Sequence, residues 1–200
     1  RNANVRWAAF DLSDVLEMRI SDEELNDVSV QRGDLVICEG GEPGRAAVWE
    51  GDEGFVIQKA LHRARPVFVN SHYYQLHLAI DAASGRLAEL LTGATIKHLT
   101  GQSLHRHLVT LPPLAEQDRI VARVNELMAL LDRLEAARNK RESLRAAARD
   151  SAWAALRGAV DSIASAVNWT RIAQSMTALV DLPVDLSALR ANIKQLAVRG

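Results

Sequence analysis

The chain has 200 residues, of which 48% are hydrophobic and 24% are charged, and its formal net charge is −1. This composition excludes a disordered chain and allows one or two globular domains. A net charge near zero argues against a protein that coats nucleic acid nonspecifically, but it is compatible with a local basic face. The chain has one cysteine, Cys38, which can form neither an internal disulfide nor a zinc site, and no apolar run reaches the roughly 18 residues of a membrane span. We therefore expect a cytoplasmic protein.

The first part of the chain, residues 1–112, predicts a mixed α/β domain. Glycine-rich turns separate short apolar runs, as is typical of strands joined by tight turns. Strands are predicted at 35–38, at 46–49, at 55–57 with 60–61, and at 108–111. Short helices are predicted from Ser71 as N-cap to Ile80, over 86–91, and as one turn capped by Thr100.

The second part, residues 113–200, predicts a long helix followed by shorter helices. Pro112 and Pro113 suit the approach to a helix, and nothing interrupts the helical pattern from 115 to about 156. That stretch of about 42 residues would extend roughly 63 Å. Alternating spacings of four and three residues predict a coiled-coil interface, formed by Ile120, Val124, Leu127, Leu131 and Leu134. Two amphipathic helices should follow, near 168–180 and 186–198, so the predicted fold class is α+β.

Motifs for catalysis are absent from the sequence. There is no nucleophile elbow, no phosphate loop, no dinucleotide fingerprint and no methyltransferase signature. The six histidines do not form a spacing typical of zinc ligands, since His105 and His107 have no carboxylate or cysteine close to them in the sequence. We therefore expect no metal, no cofactor and no catalytic residue.

Basic residues cluster in two stretches of the first part. Carboxylates are missing between Ile57 and Ile80 and again between Leu90 and Leu114. Such local charge is typical of a DNA-binding face on a neutral chain, and the scarcity of aromatic residues favours duplex over single-strand binding. The candidate DNA contacts are Arg45, Lys59, Arg63, Lys97 and His98. The alternative for this region is a solvated face, with Arg63 or Arg65 paired to a carboxylate. Three tryptophans are expected in the core: Trp49, Trp153 and Trp169.

The junction between the two parts carries a family resemblance. Residues 111–121 read LPPLAEQDRIV, and residues 122–138 continue as ARVNELMALLDRLEAAR. This segment resembles the end of a target-recognition domain and the following conserved helix in the specificity subunits of type I restriction–modification enzymes. Three further segments are similar to the same family in the same order: GDLVICEGGEPGRAAVW (33–49), TGATIKHLTGQSL (92–104) and LRANIKQLAVRG (189–200).

The resemblance implies a function and a set of partners. It implies that residues 1–112 read one half of a split site in double-stranded DNA, while the helices fix the gap between the halves. Methyltransferase subunits would dock on the helices, and restriction subunits with translocase and nuclease activity would join through them. The chain itself would be non-catalytic. Because one recognition domain is present, we expect a fragment or a half-subunit that pairs with a copy of itself through the long helix, with opening strands of the domain missing.

Two other functions remain open at this point. The first is a coiled-coil scaffold that binds proteins and not DNA, which would lack salt-sensitive affinity for a duplex. The second is a nuclease or methyltransferase domain, against which the missing signatures count.

Overall fold

The computed structural model describes residues 1–58, 60–180 and 183–199. It has two compact units, residues 1–126 and residues 127–200. The first contains strands and helices and the second contains helices, so the predicted α+β class is confirmed. The predicted boundary at 112/113 separates a DNA-recognition domain from a helical spacer by their functions. It stays a prediction.

A three-stranded antiparallel sheet is the centre of the first unit. Its strands are β3 (Leu35–Cys38), β4 (Ala46–Val48) and β5 (Leu61–Ala64), in the order β4-β3-β5. The predicted pairing of 35–38 with the returning strand is confirmed, with Val36 opposite Ala47. A short hairpin of β1 (Val5–Arg6) and β2 (Ala9–Phe10) adjoins the sheet, and the amide of Ala8 donates to the carbonyl of Ala46.

Of two further predicted strands, the one over 55–57 with 60–61 is found only from Leu61 onward, and the one over 108–111 is absent. Residues 55–57 contribute only a single bridge, between Val56 and Ser29, and the third strand of the sheet begins at Leu61 instead. Residues 108–111 are not in a strand. Both segments are apolar, but no neighbouring strand offers them a continuous ladder of backbone partners, and apolar content alone does not make a strand.

The central strand β3 is buried on both faces of the sheet. Val36 and Cys38 belong to one apolar cluster, together with Trp49. Leu35 and Ile37 belong to another, which includes Leu78 of a covering helix. All four residues of β3 are at most 1% exposed. A strand covered on both faces has no polar side, which explains the unbroken apolar run in the sequence.

Three helices of the first unit begin at side-chain caps. α1 (Asp22–Val28) has a capping box formed by Ser21 and Glu24. α2 (Ser71–Ser84) is capped by the side chain of Asn70, so the N-cap predicted at Ser71 is wrong by one residue. A 3₁₀ turn over Arg86–Leu90 replaces the predicted short helix, and the predicted Thr100 cap begins α3 (Gly101–Leu104).

The long helix is confirmed. α4 (Leu114–Arg157) is continuous over 44 residues and begins directly after the two prolines. In the second unit it is followed by α5 (Ser162–Gln174), α6 (Met176–Leu179) and α7 (Pro183–Arg199). Across the described residues, no helix combines the length and the apolar character that a membrane span requires.

The second unit has a small core. Trp153, Leu156 and Ile172 pack together, joining α4 to α5. Trp49 and Trp153 are buried as predicted, but Trp169 is 45% exposed, so its predicted place in the core is wrong. It lies on a face of α5 that the small core does not cover.

Candidate nucleic-acid interface

Two turns of the first unit are held side by side. One is the turn between β3 and β4, residues 39–45, and the other is the loop 92–98. The amide of Leu99 donates to the carbonyl of Glu39 at 2.7 Å. The ring of His98 lies against Gly40, since a Cβ on that glycine would be 3.2 Å from the ring nitrogen Nδ1. The structure therefore brings two distant glycine-rich segments of the sequence together.

The loop 92–98 presents its middle residues to solvent. Thr92 and His98 exchange two backbone hydrogen bonds of 2.9 Å, which close the loop. Gly93 has a φ of 97°, and a Cβ there would lie 2.1 Å from the carbonyl oxygen of Ile96. Inside this closed loop, Ile96 is 66% exposed, and Lys97 is also exposed. The geometry gives Lys97 access to a large anionic partner such as a phosphate backbone.

Arg45 lies in the neighbouring turn, but its guanidinium has internal partners. It donates to the carboxylate of Glu42 at 2.8 Å and to the carbonyl of Asn2 at 3.1 Å. Its side chain is 16% exposed. The same Glu42 carboxylate accepts a bond of 2.6 Å from the indole of Trp7. Arg45 therefore neutralises an acid of this turn and ties the turn to the N-terminal segment.

Arg63 points away from the two turns. It stands opposite Val36 in the sheet, and its neighbour His62 stands opposite Ile37, so the two side chains lie on different faces. The Arg63 guanidinium donates to the backbone carbonyls of Asn26 and Ser29 at the end of α1. A cation at a helix C-terminus satisfies free carbonyls and the helix dipole. On the opposite face, Nε2 of His62 donates to the carbonyl of Leu99 at 2.7 Å.

The alternative of a paired arginine holds for Arg65. Two of its nitrogens donate to the two carboxylate oxygens of Asp34, each at 2.7 Å. The Asp34 side chain is 1% exposed. Burial would raise the pKa of Asp34, but the bonds from Arg65 and from the amide of Gln31 outweigh it and lower that pKa. The Arg65 guanidinium is thus held in an ion pair with the buried carboxylate of Asp34.

The remaining predicted contacts fall into two groups. Lys59 lies outside the described residues. The predicted interface residues of α4 change in exposure along the helix: Ile120 and Val124 are half-buried, while Leu127, Leu131 and Leu134 are 48%, 47% and 59% exposed. The last three thus form an apolar row that is open to solvent.

Sequence reasoning missed a buried polar network on α2. Asp81 accepts from His107 at 2.8 Å and from Arg86 at 2.7 Å, and the side chains of Asp81 and His107 are 8% and 4% exposed. Burial would raise the pKa of Asp81, but the bonds from His107 and Arg86 outweigh it and lower that pKa. Tyr74 bonds the same histidine, and burial raises the pKa of its hydroxyl. Burial lowers the pKa of His77 nearby. Because Asp81 and His107 are 26 residues apart, no local pattern could indicate the contact. Among the described residues, no group of histidine, cysteine and carboxylate side chains could hold a metal ion.

Two known proteins that are similar to this chain are both subunits of type I restriction enzymes. No protein-family model matches the chain. Two curated proteins of Escherichia coli do: the type I restriction enzyme EcoEI specificity subunit, 30% identical over 166 residues, and the type I restriction enzyme EcoAI specificity subunit, 30% identical over 172 residues. The resemblance to this family is confirmed. Each alignment covers 80% of this chain, but the chain spans only 28% of the length of either relative.

Proposed function

We propose that this chain recognises a specific sequence in double-stranded DNA, as one half of the specificity subunit of a type I restriction–modification complex. The observation that carries the proposal is the similarity to two such subunits over 80% of the chain. The paired turns 39–45 and 92–98 support it, because residues 92–97 of the second turn are exposed and include the cationic side chain of Lys97. Phosphate contacts of this kind position a protein on a duplex, while base-edge contacts supply the specificity.

The proposed direct contacts are Lys97 and His98, with Lys59 from the basic stretch of the sequence. Lysines would hold phosphates, and His98 would approach from the base of the loop. Arg45 and Arg63 remain in the proposal with a reduced role. Their guanidinium groups already donate hydrogen bonds to acceptors within the chain, so a DNA phosphate would have to share these guanidinium groups with those acceptors.

Catalysis is assigned to partners. In this proposal the chain directs methylation by methyltransferase subunits and restriction by translocase and nuclease subunits, and it performs neither reaction. Its helix α4 would serve as the spacer. The exposed row of Leu127, Leu131 and Leu134 supports pairing of α4 with another helix, including that of a second copy, because an apolar face of this kind is stabilised by burial.

A scaffold without DNA binding is the alternative function. It would use the same apolar row of α4 and leave the turns without a ligand. An enriched DNA site decides between the two functions.

The deciding experiment is a selection from random duplexes, using this chain together with the methyltransferase subunit of its own system. We expect enrichment of a split site with a fixed gap between its two halves. Recovery of unselected sequences, at a binding level that matches the methyltransferase subunit alone, contradicts DNA recognition and favours the scaffold.

Lys97→Ala tests the loop directly. Loss of one phosphate contact should weaken duplex binding and reduce the slope of log affinity against log salt by about one unit. Lys140→Ala, an exposed lysine of α4, is the matched control and should leave the slope unchanged. Equal slopes for Lys97→Ala and the unsubstituted chain would remove Lys97 from the interface.

A further inference from the structure

A row of hydrogen bonds joins α2 to the segment that leads into α4. The hydroxyl of Tyr73 donates to the carbonyl of Thr110 at 2.9 Å, and His107 bonds both Tyr74 and Asp81. At the start of α2, Asn70 bonds Gln117 and Asp118, as described below. Residues 107–118 are called the exit segment. The later a residue lies in this segment, the earlier in α2 its bonding partner lies, so the exit segment runs antiparallel to α2.

His107 anchors one end of the exit segment. A carboxylate can only accept, so Nε2 of the imidazole carries the hydrogen donated to Asp81, and in the neutral ring Nδ1 accepts from the Tyr74 hydroxyl at 3.2 Å. The two rings also stack, with centroids 5.6 Å apart. Arg86 holds the Asp81 carboxylate from its other side. Every polar atom of this imidazole therefore has a partner in a site that water hardly reaches.

Gln117 anchors the other end. Its side-chain oxygen accepts from the amide of Asn70 at 2.8 Å, and its side-chain nitrogen donates to the carbonyl of Pro112 at 2.9 Å. Gln117 is 1% exposed. The Asn70 side chain also donates to the carboxylate of Asp118 at 2.8 Å. The buried side-chain amide of Gln117, in the first turn of α4, thus links the cap of α2 to Pro112.

The two leucines of the exit segment contribute little apolar packing to its attachment. Leu108 is 90% exposed and Leu111 is 59% exposed. Burial of apolar area stabilises a contact in proportion to the area removed from water, and these two leucines remove little. Val109 and Pro112 are half-buried and add some apolar contact, while the polar bonds to α2 hold the exit segment at three points along that helix.

We propose that His107 and Gln117 are positioning residues that fix where α4 begins relative to the turns proposed to bind DNA. The inference rests on the proposed function, in which α4 sets the gap between two half-sites. Loss of either residue leaves buried partners without hydrogen bonds, so the exit segment detaches from α2. The turns 39–45 and 92–98 have their own backbone bonds and keep their structure.

Limited trypsin digestion of the full chain tests the attachment. Arg106 is exposed and directly precedes His107, so cleavage there requires the exit segment to detach. His107→Ala should increase the cleavage rate at Arg106 at least about tenfold, with cleavage at Arg138 of α4 as the internal reference. His107→Gln, whose amide replaces Nε2, should restore much of the protection. His105→Ala, an exposed neighbour, should behave as the unsubstituted chain.

An unchanged rate at Arg106 in His107→Ala would overturn the attachment. If that variant fails to fold, Tyr73→Phe replaces it, because it removes only the hydroxyl that bonds Thr110. We expect that variant to be cleaved at Arg106 roughly threefold or more faster. A rate equal to that of the unsubstituted chain overturns the attachment in the same way.

Binding to split duplexes tests the positioning role. With the methyltransferase subunit present, duplexes that differ only in gap length should show a sharp optimum for the unsubstituted chain. His107→Ala should broaden that optimum while the sequence preference of each half-site stays the same, a separation that general destabilisation would not produce. An unchanged gap optimum overturns the positioning role. If the unsubstituted chain binds no duplex, both the proposed function and the positioning role fail. The trypsin result still decides whether the exit segment is attached to α2.

Discussion

Gly93 occupies a backbone conformation that a larger residue cannot adopt without strain. Its φ is 97° and a Cβ would meet the Ile96 carbonyl at 2.1 Å, whereas Gly54, with a φ of 99°, has nothing within 4 Å. Gly54→Ala should therefore cost about 1 kcal/mol of unfolding free energy, and Gly93→Ala should cost about 2–3 kcal/mol, because a steric clash adds to the strain. Denaturant unfolding of the two variants measures the difference. Equal losses would contradict the tight closure of loop 92–98.

Asp34 gives a pH prediction at the same scale. Its pKa is lowered in the folded chain, despite burial, by the bonds from Arg65 and Gln31. A carboxylate with a lowered pKa stabilises the fold fully above its ordinary value of about 3.9, and that contribution is lost as pH falls through the folded value. Unfolding free energy should therefore drop steeply below about pH 4.

Asp34→Asn checks this assignment. We expect it to lower the unfolding free energy at pH 7 by about 1–3 kcal/mol. The fall of unfolding free energy below about pH 4, here called the acid limb, should become shallower. Asp52→Asn, in an exposed turn, serves as the control and should retain the steep limb. An acid limb that is identical in Asp34→Asn and the unsubstituted chain would assign the acid sensitivity to other carboxylates.

At the scale of elements, we expect a single truncation in β3 to be costly. Ile37 is 0% exposed and packs in the cluster that contains Leu78, whereas Ile96 is 66% exposed. Ile37→Ala should lower unfolding free energy by about 2–5 kcal/mol through lost burial and a residual cavity, and Ile96→Ala should change it by less than about 0.5 kcal/mol. Similar losses for the two variants would contradict the two-sided burial of β3.

The predictable elements were those with a local signal. The glycine turn at 40–44 predicted the β3–β4 hairpin, the uninterrupted pattern after Pro113 predicted α4, and the cap at Thr100 predicted α3. The segment 108–111 was wrongly predicted as a strand because its apolar residues belong to an exposed connection held by bonds to α2. Contacts such as His107 with Asp81 depend on how the chain folds back, which no local window contains.

The candidate site was predictable in part for the same reason. Glycine turns and basic stretches indicated where exposed loops with basic side chains would lie, and Lys97 is exposed on one of them. The sequence could not indicate which arginines carry free charge. Arg63, in β5, bonds the carbonyls at the end of α1, whereas Arg65, just after β5, bonds the carboxylate of Asp34, the residue before β3.

At the scale of the whole molecule, the exposed row of α4 predicts association. Leu131 is 47% exposed in the middle of that row. The unsubstituted chain should therefore form a concentration-dependent dimer in sedimentation velocity, since pairing removes these leucines from water. Leu131→Lys should shift the chain to monomer. Ala129→Lys, on the opposite side of the predicted coiled-coil repeat, should not. Monomers at all concentrations would instead require a different partner for α4.

The two-sided packing of β3 also constrains how this chain can diverge. None of its four side chains faces solvent, so a substitution in the strand disturbs packing on one side of the sheet or the other. The exposed residues of the neighbouring turns, such as Ile96 and Lys97, carry less of this restriction. Substitutions that preserve the fold should therefore accumulate in the exposed parts of the turns, where the proposed duplex contacts lie, so the proposed target preference could change on a constant scaffold.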